Sequence, residues 1–105
     1  MMKCGIMFKL GEIVVIPFPF TDLSAVKQRP VLIISNSQYN NSTEDIVVCG
    51  ITSNLQDTKY SFVIDNTSLL EGKIPVTSRV KAGKIFTLKQ SLVKKRVAVL
   101  KPEII

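Results

Sequence analysis

Apolar residues come along this chain mostly in short runs, parted by clusters of turn-forming residues, which is the punctuation of strands. EIVVIP, residues 12–17, is rich in β-branched side chains and follows Gly11, which can turn the chain at low cost. Residues 18–28 then read as a loop anchored by Phe18 and Phe20, and PVLIIS, 30–35, as a strand buried on both faces or nearly so. The stretch 35–45 is dense in Asn and Ser and reads as a loop. IVVCGITS (46–53) and YSFVID (60–65) predict two further strands, with Gly50 at a bulge or a close backbone approach. In 75–81, Val76, Ser78 and Val80 alternate with Thr77, Arg79 and Lys81, the period of a strand with one buried face. Residues 84–88 add a short piece of strand, 87–95 one or two helical turns, and 96–101 an edge strand. Six or seven short strands with little helix predict a mainly β fold, a small and strongly twisted barrel.

A length of 105 residues fits one domain with a modest core that needs no disulfide staples. With 46% apolar and 21% charged residues the composition is that of a soluble globular protein, and no run approaches the roughly 18 apolar residues of a membrane span. Lys3, Gly5 and Lys9 interrupt the apolar residues of the N-terminus, which therefore does not read as a secretory signal, and a cytoplasmic location is expected. There is no histidine, and Cys4 and Cys49 lack the spacing of a zinc or redox pair, so no metal site and no cofactor are expected. Cys49 reads as a small apolar residue in a strand.

Charge changes the picture more than composition does. Residues 1–72 hold five basic and seven acidic side chains, whereas 73–105 hold nine basic and one acidic. From Lys73 through Lys101 there is no carboxylate, a one-signed stretch that would attract a polyanion or an acidic peptide.

Pro30 lacks a backbone N–H and suits the first position of a strand, which places Arg29 where a loop meets the sheet. Thr52 and Ser53 end another apolar strand in the same manner. Were the two strand ends neighbours, a planar five-donor guanidinium would face one or two hydroxyls, a fair arrangement for a phosphate.

The order of these pieces resembles the PemK/MazF-like toxins of bacterial toxin–antitoxin pairs. The Gly-Glu-Ile-Val opening at Gly11, the PFPFTD run (17–22), the Arg29-Pro30 pair, the Ile-Thr-Ser strand end at 51–53 and Ser78 before a Lys/Arg-rich stretch carry the resemblance, which runs from Gly11 to about Leu100. It implies one domain over residues 1–105, with 1–10 an N-terminal extension or first turn. The implied fold is an SH3-like barrel of the CcdB/PemK type with one or two short helices, pairing as a homodimer. The implied activity is metal-independent, sequence-selective cleavage of single-stranded RNA, held in check by an acidic antitoxin, with no membrane partner.

The family's catalytic Arg and Thr fall on Arg29 and Thr52, with Ser53 and Ser78 in support. Attack by the RNA's own 2′-OH on the adjacent phosphorus needs alignment, proton transfer and charge stabilisation, and it leaves a 2′,3′-cyclic phosphate and a 5′-OH. Arg29 would stabilise charge or donate a proton rather than act as a base. Some relatives carry a carboxylate in the loop five residues before the Arg, where Ser24 stands, so Asp22 is the nearest acid for a general base. Gly83 and Lys89 occupy positions where close relatives commonly carry an acid. RNA contacts are expected from Lys27, Gln28, Arg79, Lys81, Lys84, Lys94, Lys95 and Arg96, with Phe20 or Tyr39 available for stacking. Two rival readings are a relative that binds RNA or an antitoxin-like peptide without cutting, and a gyrase-poisoning toxin. The latter closes in a helix ending Trp-Gly-Ile, and this chain has no Trp.

Overall fold

The computed structural model describes residues 8–18, 27–54 and 60–104. Seven strands and one helix follow in the order β1 (Glu12–Phe18), β2 (Lys27–Ile33), α1 (Ser37–Ser42), β3 (Asp45–Thr52), β4 (Ser61–Ile64), β5 (Leu69–Gly72), β6 (Ser78–Lys89) and β7 (Lys95–Leu100). Every pairing is antiparallel, and the strands lie in one sheet in the order β4-β6-β3-β2-β1-β7-β5.

That order forces curvature. The outermost strands β4 and β5 are consecutive in the chain, joined only by Asp65 and the 3₁₀ turn Asn66–Ser68. In a flat sheet their axes would stand about 29 Å apart, yet the backbone from Ile64 to Leu69 can span at most about 18 Å. The sheet therefore curls into a half-barrel, in keeping with the small, twisted barrel that the strand count predicts and the SH3-like type that the family resemblance implies.

The curl gives the central strands two buried faces. Ile13, Leu32, Cys49, Ile51, Ile64, Val80 and Leu100 pack in one cluster, while Val14, Ile16, Val31, Ile33, Ile46, Val48 and Leu88 pack in the other with Phe8. Alternation along β1, β2 and β3 assigns successive residues to opposite clusters, which is why these strands read as unbroken apolar runs. Cys49 lies in the first cluster, and burial raises its thiol to about 11, consistent with an inert packing residue.

Pairing irregularities fall where chain chemistry permits them. On β6, Lys81 opposes Gly50 while Ile85 opposes Cys49, so Ala82, Gly83 and Lys84 bulge out of register beside Gly50. A side chain at Gly50 would meet nothing, so the bulge rather than a close approach accounts for that glycine. Gly11, at φ 95°, joins three strands: its N–H donates to Ile33 O (2.9 Å) and its carbonyl accepts from Leu100 N (2.8 Å).

Four elements differ from the sequence reading. The stretch 35–45 contains α1, capped by Asn36, whose side chain accepts from Tyr39 N at 2.9 Å. Asn40, on α1 and 1% exposed, donates to Phe8 O and Ser35 O, so polar residues that looked like loop are buried with their bonds met. β2 begins at Lys27 rather than Pro30; Pro30 is tolerated because β3 joins β2 only from Val31, leaving the start of β2 an edge on that side. β5, a four-residue LLEG strand, was not predicted, and its pairing makes β7 an interior strand between β1 and β5.

Gly72 ends β5 at φ 81°, and a Cβ there would lie 2.2 Å from Val97 O and 2.7 Å from Ala98 Cα. Gly72→Ala is therefore expected to lower stability by more than about 2 kcal/mol, read as a fall in urea midpoint at unchanged m-value. Asp65 caps the β4–β5 link, and hydrogen bonds from the Thr67 hydroxyl and N–H hold its carboxyl below the usual aspartate value. A depressed folded-state value stabilises the fold above the unfolded value of about 3.9 and loses that contribution as pH falls below it. Asp65→Asn should flatten this part of the stability curve between neutral and acidic pH in urea titrations.

Candidate functional site

A groove of about 700 Å³ opens where β1, β2, β3 and β7 meet the segment that leaves β5. Its apolar floor includes Ile13 and Val15 of β1 and Val97 of β7. Val15 opposes Pro30 on one side and Lys95 on the other, so the rims of β2 and β7 stand two strand spacings apart, about 10 Å. Side chains from both rims can therefore reach one bound group.

The β2 rim supplies Gln28 and Arg29, both exposed, and the end of β3 supplies Thr52 and Ser53. The sequence expectation that Arg29 and Thr52 belong to neighbouring strand ends corresponds to the pairing of β2 with β3 and their shared place in the groove wall. Thr52 Oγ1 accepts from Asn54 N at 3.1 Å, a short turn that fixes the side chain. The hydroxyl proton has no acceptor among the described residues and can be donated to a ligand.

The opposite rim carries Lys94 and Lys95 at the start of β7, and Lys73 after β5. Lys94 N donates to Val15 O at 2.8 Å, which pins this rim to β1. Lys73 is set by its neighbour: Ile74 is 7% exposed in the first cluster, and its N–H donates to Asn66 Oδ1 at 2.9 Å. Ser78 also borders the groove, but it is buried and its hydroxyl donates to Val76 O at 3.0 Å, so it holds the 73–76 segment in place. Lys73 was not singled out from sequence as an RNA contact; its position at the head of the carboxylate-free stretch was the available signal.

Arg29, Lys73, Lys94 and Lys95 thus face one cavity, and among the described residues none that lines it is a carboxylate. Like charges gathered without counter-ions repel one another, and a polyanion relieves that repulsion. The residues that could hold a metal are lacking: among the described residues no three His, Cys, Asp or Glu side chains come together.

The other predicted contacts lie elsewhere. Arg79 is the Cα partner of Thr52 but does not line the groove; its Nη1 donates to Ser61 Oγ at 2.9 Å. Lys81 and Lys84 lie on β6 at and beyond the bulge, and Lys27 begins β2 opposite Phe18. Tyr39 lies on α1 and is 37% exposed, away from the groove lining. Arg96 forms an ion pair with Glu12, a carboxylate only 2% exposed that also accepts from Lys9 N at 2.9 Å. Asp22, Ser24 and Phe20 fall outside the described residues.

A rolled antiparallel sheet with a cationic groove at strand ends defines a class, and comparison with known proteins defines it further. Residues 9–105 match the family described as PemK-like, MazF-like toxin of type II toxin–antitoxin system, and the chain belongs to that family. No curated protein sequence matches it. Among solved structures, a MazE–MazF complex from Deinococcus radiodurans superposes with TM-score 0.75 at 20% identity, covering 94% of this chain and 86% of the other. An endoribonuclease from a mycobacterial species gives TM-score 0.72 at 21% identity over 96% and 83%. A mycobacterial endoribonuclease in complex with its cognate antitoxin gives 0.68 at 20% identity over 90% and 81%. At these identities the likeness is one of fold.

The Glu12–Arg96 pair joins β1 to β7. Arg96→Ala is expected to cost about 2 kcal/mol, less than the removal of one partner from a fully buried pair because Arg96 is half exposed. Thermal unfolding of the variant beside Glu12→Gln, which keeps the acceptor for Lys9 N, measures it.

Proposed function

We propose that this chain is a sequence-selective endoribonuclease that cuts single-stranded RNA without a metal ion and serves as the toxin of its pair. The observation that carries the reading is the groove itself, which gathers Arg29 and Thr52 from adjacent strands among Lys73, Lys94 and Lys95, with no carboxylate among its described lining residues. Family membership supports the same activity class.

The substrate supplies the nucleophile. The 2′-OH attacks the neighbouring phosphorus, the bond to the 5′-oxygen breaks, one proton leaves the 2′-oxygen and another reaches the departing 5′-oxygen. A 2′,3′-cyclic phosphate and a 5′-OH result, and DNA, lacking the 2′-OH, is spared. Arg29 binds the scissile phosphate in bidentate fashion and offsets the charge that grows on its free oxygens. Thr52 donates its hydroxyl proton in a hydrogen bond to the same phosphate or to the leaving oxygen. The lysines of the far rim hold flanking phosphates, and Gln28 and Ser53 offer uncharged donors beside them. Asp22 stands as the nearest acid in sequence for the general base.

An acidic antitoxin segment would find the same cations, so inhibition follows from occupancy of the groove. One of the mycobacterial structures named above is described as an endoribonuclease in complex with its cognate antitoxin, and the Deinococcus one as MazE–MazF. The working form is read as a homodimer, in keeping with the family resemblance.

The test is incubation with long single-stranded RNA in excess EDTA, with cut sites and end groups mapped. Cuts at a recurring short motif with cyclic phosphate ends are expected, slowed about 10²- to 10³-fold in Arg29→Ala. Thr52→Ser should keep most of the rate and Thr52→Val lose it. Intact RNA from every sequence tried would leave a binding-only relative, and cleavage abolished by EDTA would overturn the metal-independent mechanism.

A further inference from the structure

Tyr60 is placed against the ordinary rules for tyrosine. Its backbone sits at φ 58°, a region that bulky residues occupy only at a cost, and its side chain is 78% exposed. Neither backbone geometry nor packing asks for tyrosine there. The position is nonetheless fixed, because Tyr60 O accepts from Gly83 N at 3.1 Å across the β6 bulge.

Its surroundings are cationic and continuous with the groove. Thr52, in the groove wall, opposes Arg79; Arg79 opposes Val63; two residues on, Lys81 opposes Ser61, the neighbour of Tyr60. Directly opposed and alternate residues share a face, so Thr52, Arg79, Val63, Lys81 and Ser61 share the face turned away from the core residues Ile51, Val80 and Ile64, while the Tyr60 side chain borders that face at the β6 bulge, 3.5 Å from where a Cβ on Gly83 would stand. Val63, 48% exposed, gives this face an apolar patch. Residues 60–64 and 78–89 contain no carboxylate. Ser61 Oγ accepts from Arg79 Nη1, which sets the guanidinium over the strand pair.

We propose that this face of β4 and β6 is a second RNA contact surface, on which Tyr60 stacks a substrate base a few nucleotides from the scissile bond while Lys81 and Arg79 hold the intervening backbone. An exposed ring beside an apolar patch and two cations suits a base and its phosphates. An acidic peptide would use the cations and leave the ring idle. The inference rests on the RNA-cleaving reading and adds a subsite to it, one that would favour longer substrates.

The experiment compares wild-type protein, Tyr60→Asn and Tyr60→Trp on two RNAs sharing the cut motif, one of about twelve and one of about four nucleotides. Asn tolerates this backbone region and lacks a ring, so Tyr60→Asn should fold at least as stably as wild type. Its KM for the longer RNA should rise about tenfold with kcat unchanged, and its KM for the shorter RNA should not move. Tyr60→Trp should keep the wild-type KM; as the natural chain has no Trp, its fluorescence should change with the longer RNA and not the shorter. An unchanged KM of Tyr60→Asn on both RNAs overturns the proposal, as does fluorescence that answers to polyglutamate and not to RNA. Should wild-type protein cut neither RNA, the cleavage reading falls, and the fluorescence titration alone decides whether the ring meets RNA.

Discussion

Four residues, Asp65 to Ser68, tie together the two outermost strands of a seven-stranded sheet. No flat arrangement satisfies that tether, so the roll of the sheet follows from chain connectivity before any side chain is considered. The link is built to bear it. Asp65 and Ser68 bond reciprocally as a capping box, Asn66 reaches forward to Ile74, and Ser68 O accepts from Lys101 N at 2.9 Å at the end of β7. The same short turn thus holds the two ends of the curled sheet together and sets the segment that carries Lys73.

The groove is a consequence of that closure. Rolling the sheet leaves β1 as a floor between β2 and β7, and brings the chain leaving β5 across its end. Four elements far apart in sequence then contribute to one wall, which is why the arrangement has no local motif. Its chemistry is carried by side chains whose own backbone is held by the sheet, while the polar bonds of Ser78, Asn66 and Thr52 fix the edges. Under the proposed activity, strand ends anchored in this way would favour alignment of a flexible RNA, the main thing such a reaction asks of a protein that brings no nucleophile.

Much of this could be read from the sequence, and the failures have physical causes. β1, β3, β4 and the first part of β6 announced themselves through β-branched runs and through the Ser78–Val80 alternation. The polar end of an apolar run placed Thr52 at the end of β3, whereas Pro30 suggested a strand start that lies instead at Lys27, so that Arg29 falls inside β2. α1 was hidden because its stability lies in Asn36 and Asn40, residues that favour turns unless a partner elsewhere accepts or donates; Phe8 O, distant in sequence, is that partner. β5 was hidden because LLEG has too few residues for a period to show, and it exists by pairing with β7. Tyr60 was missed as a surface residue since YSFVID reads as a strand, and nothing local reveals that its first residue lies at positive φ.

The basic stretch of sequence also resolves into unequal parts once folded. Nine cations stand from Lys73 onward, yet their environments differ. Arg96 is neutralised by a carboxylate buried under β1, a partner whose desolvation makes the pair structural, and Lys89 stands 3.7 Å from Glu44 at an exposed site where the attraction is weak. Lys73, Lys94 and Lys95 join Arg29 around a cavity with no counter-charge among its described lining residues, while Arg79 and Lys81 line the face that leads away from Thr52. Net charge alone therefore overstates the number of cations available to RNA and says nothing about their path. It is the subset along the groove and the β4–β6 face, arranged from the groove toward Tyr60, that gives the field a direction, and under the proposed activity a single strand entering the groove would be guided along it.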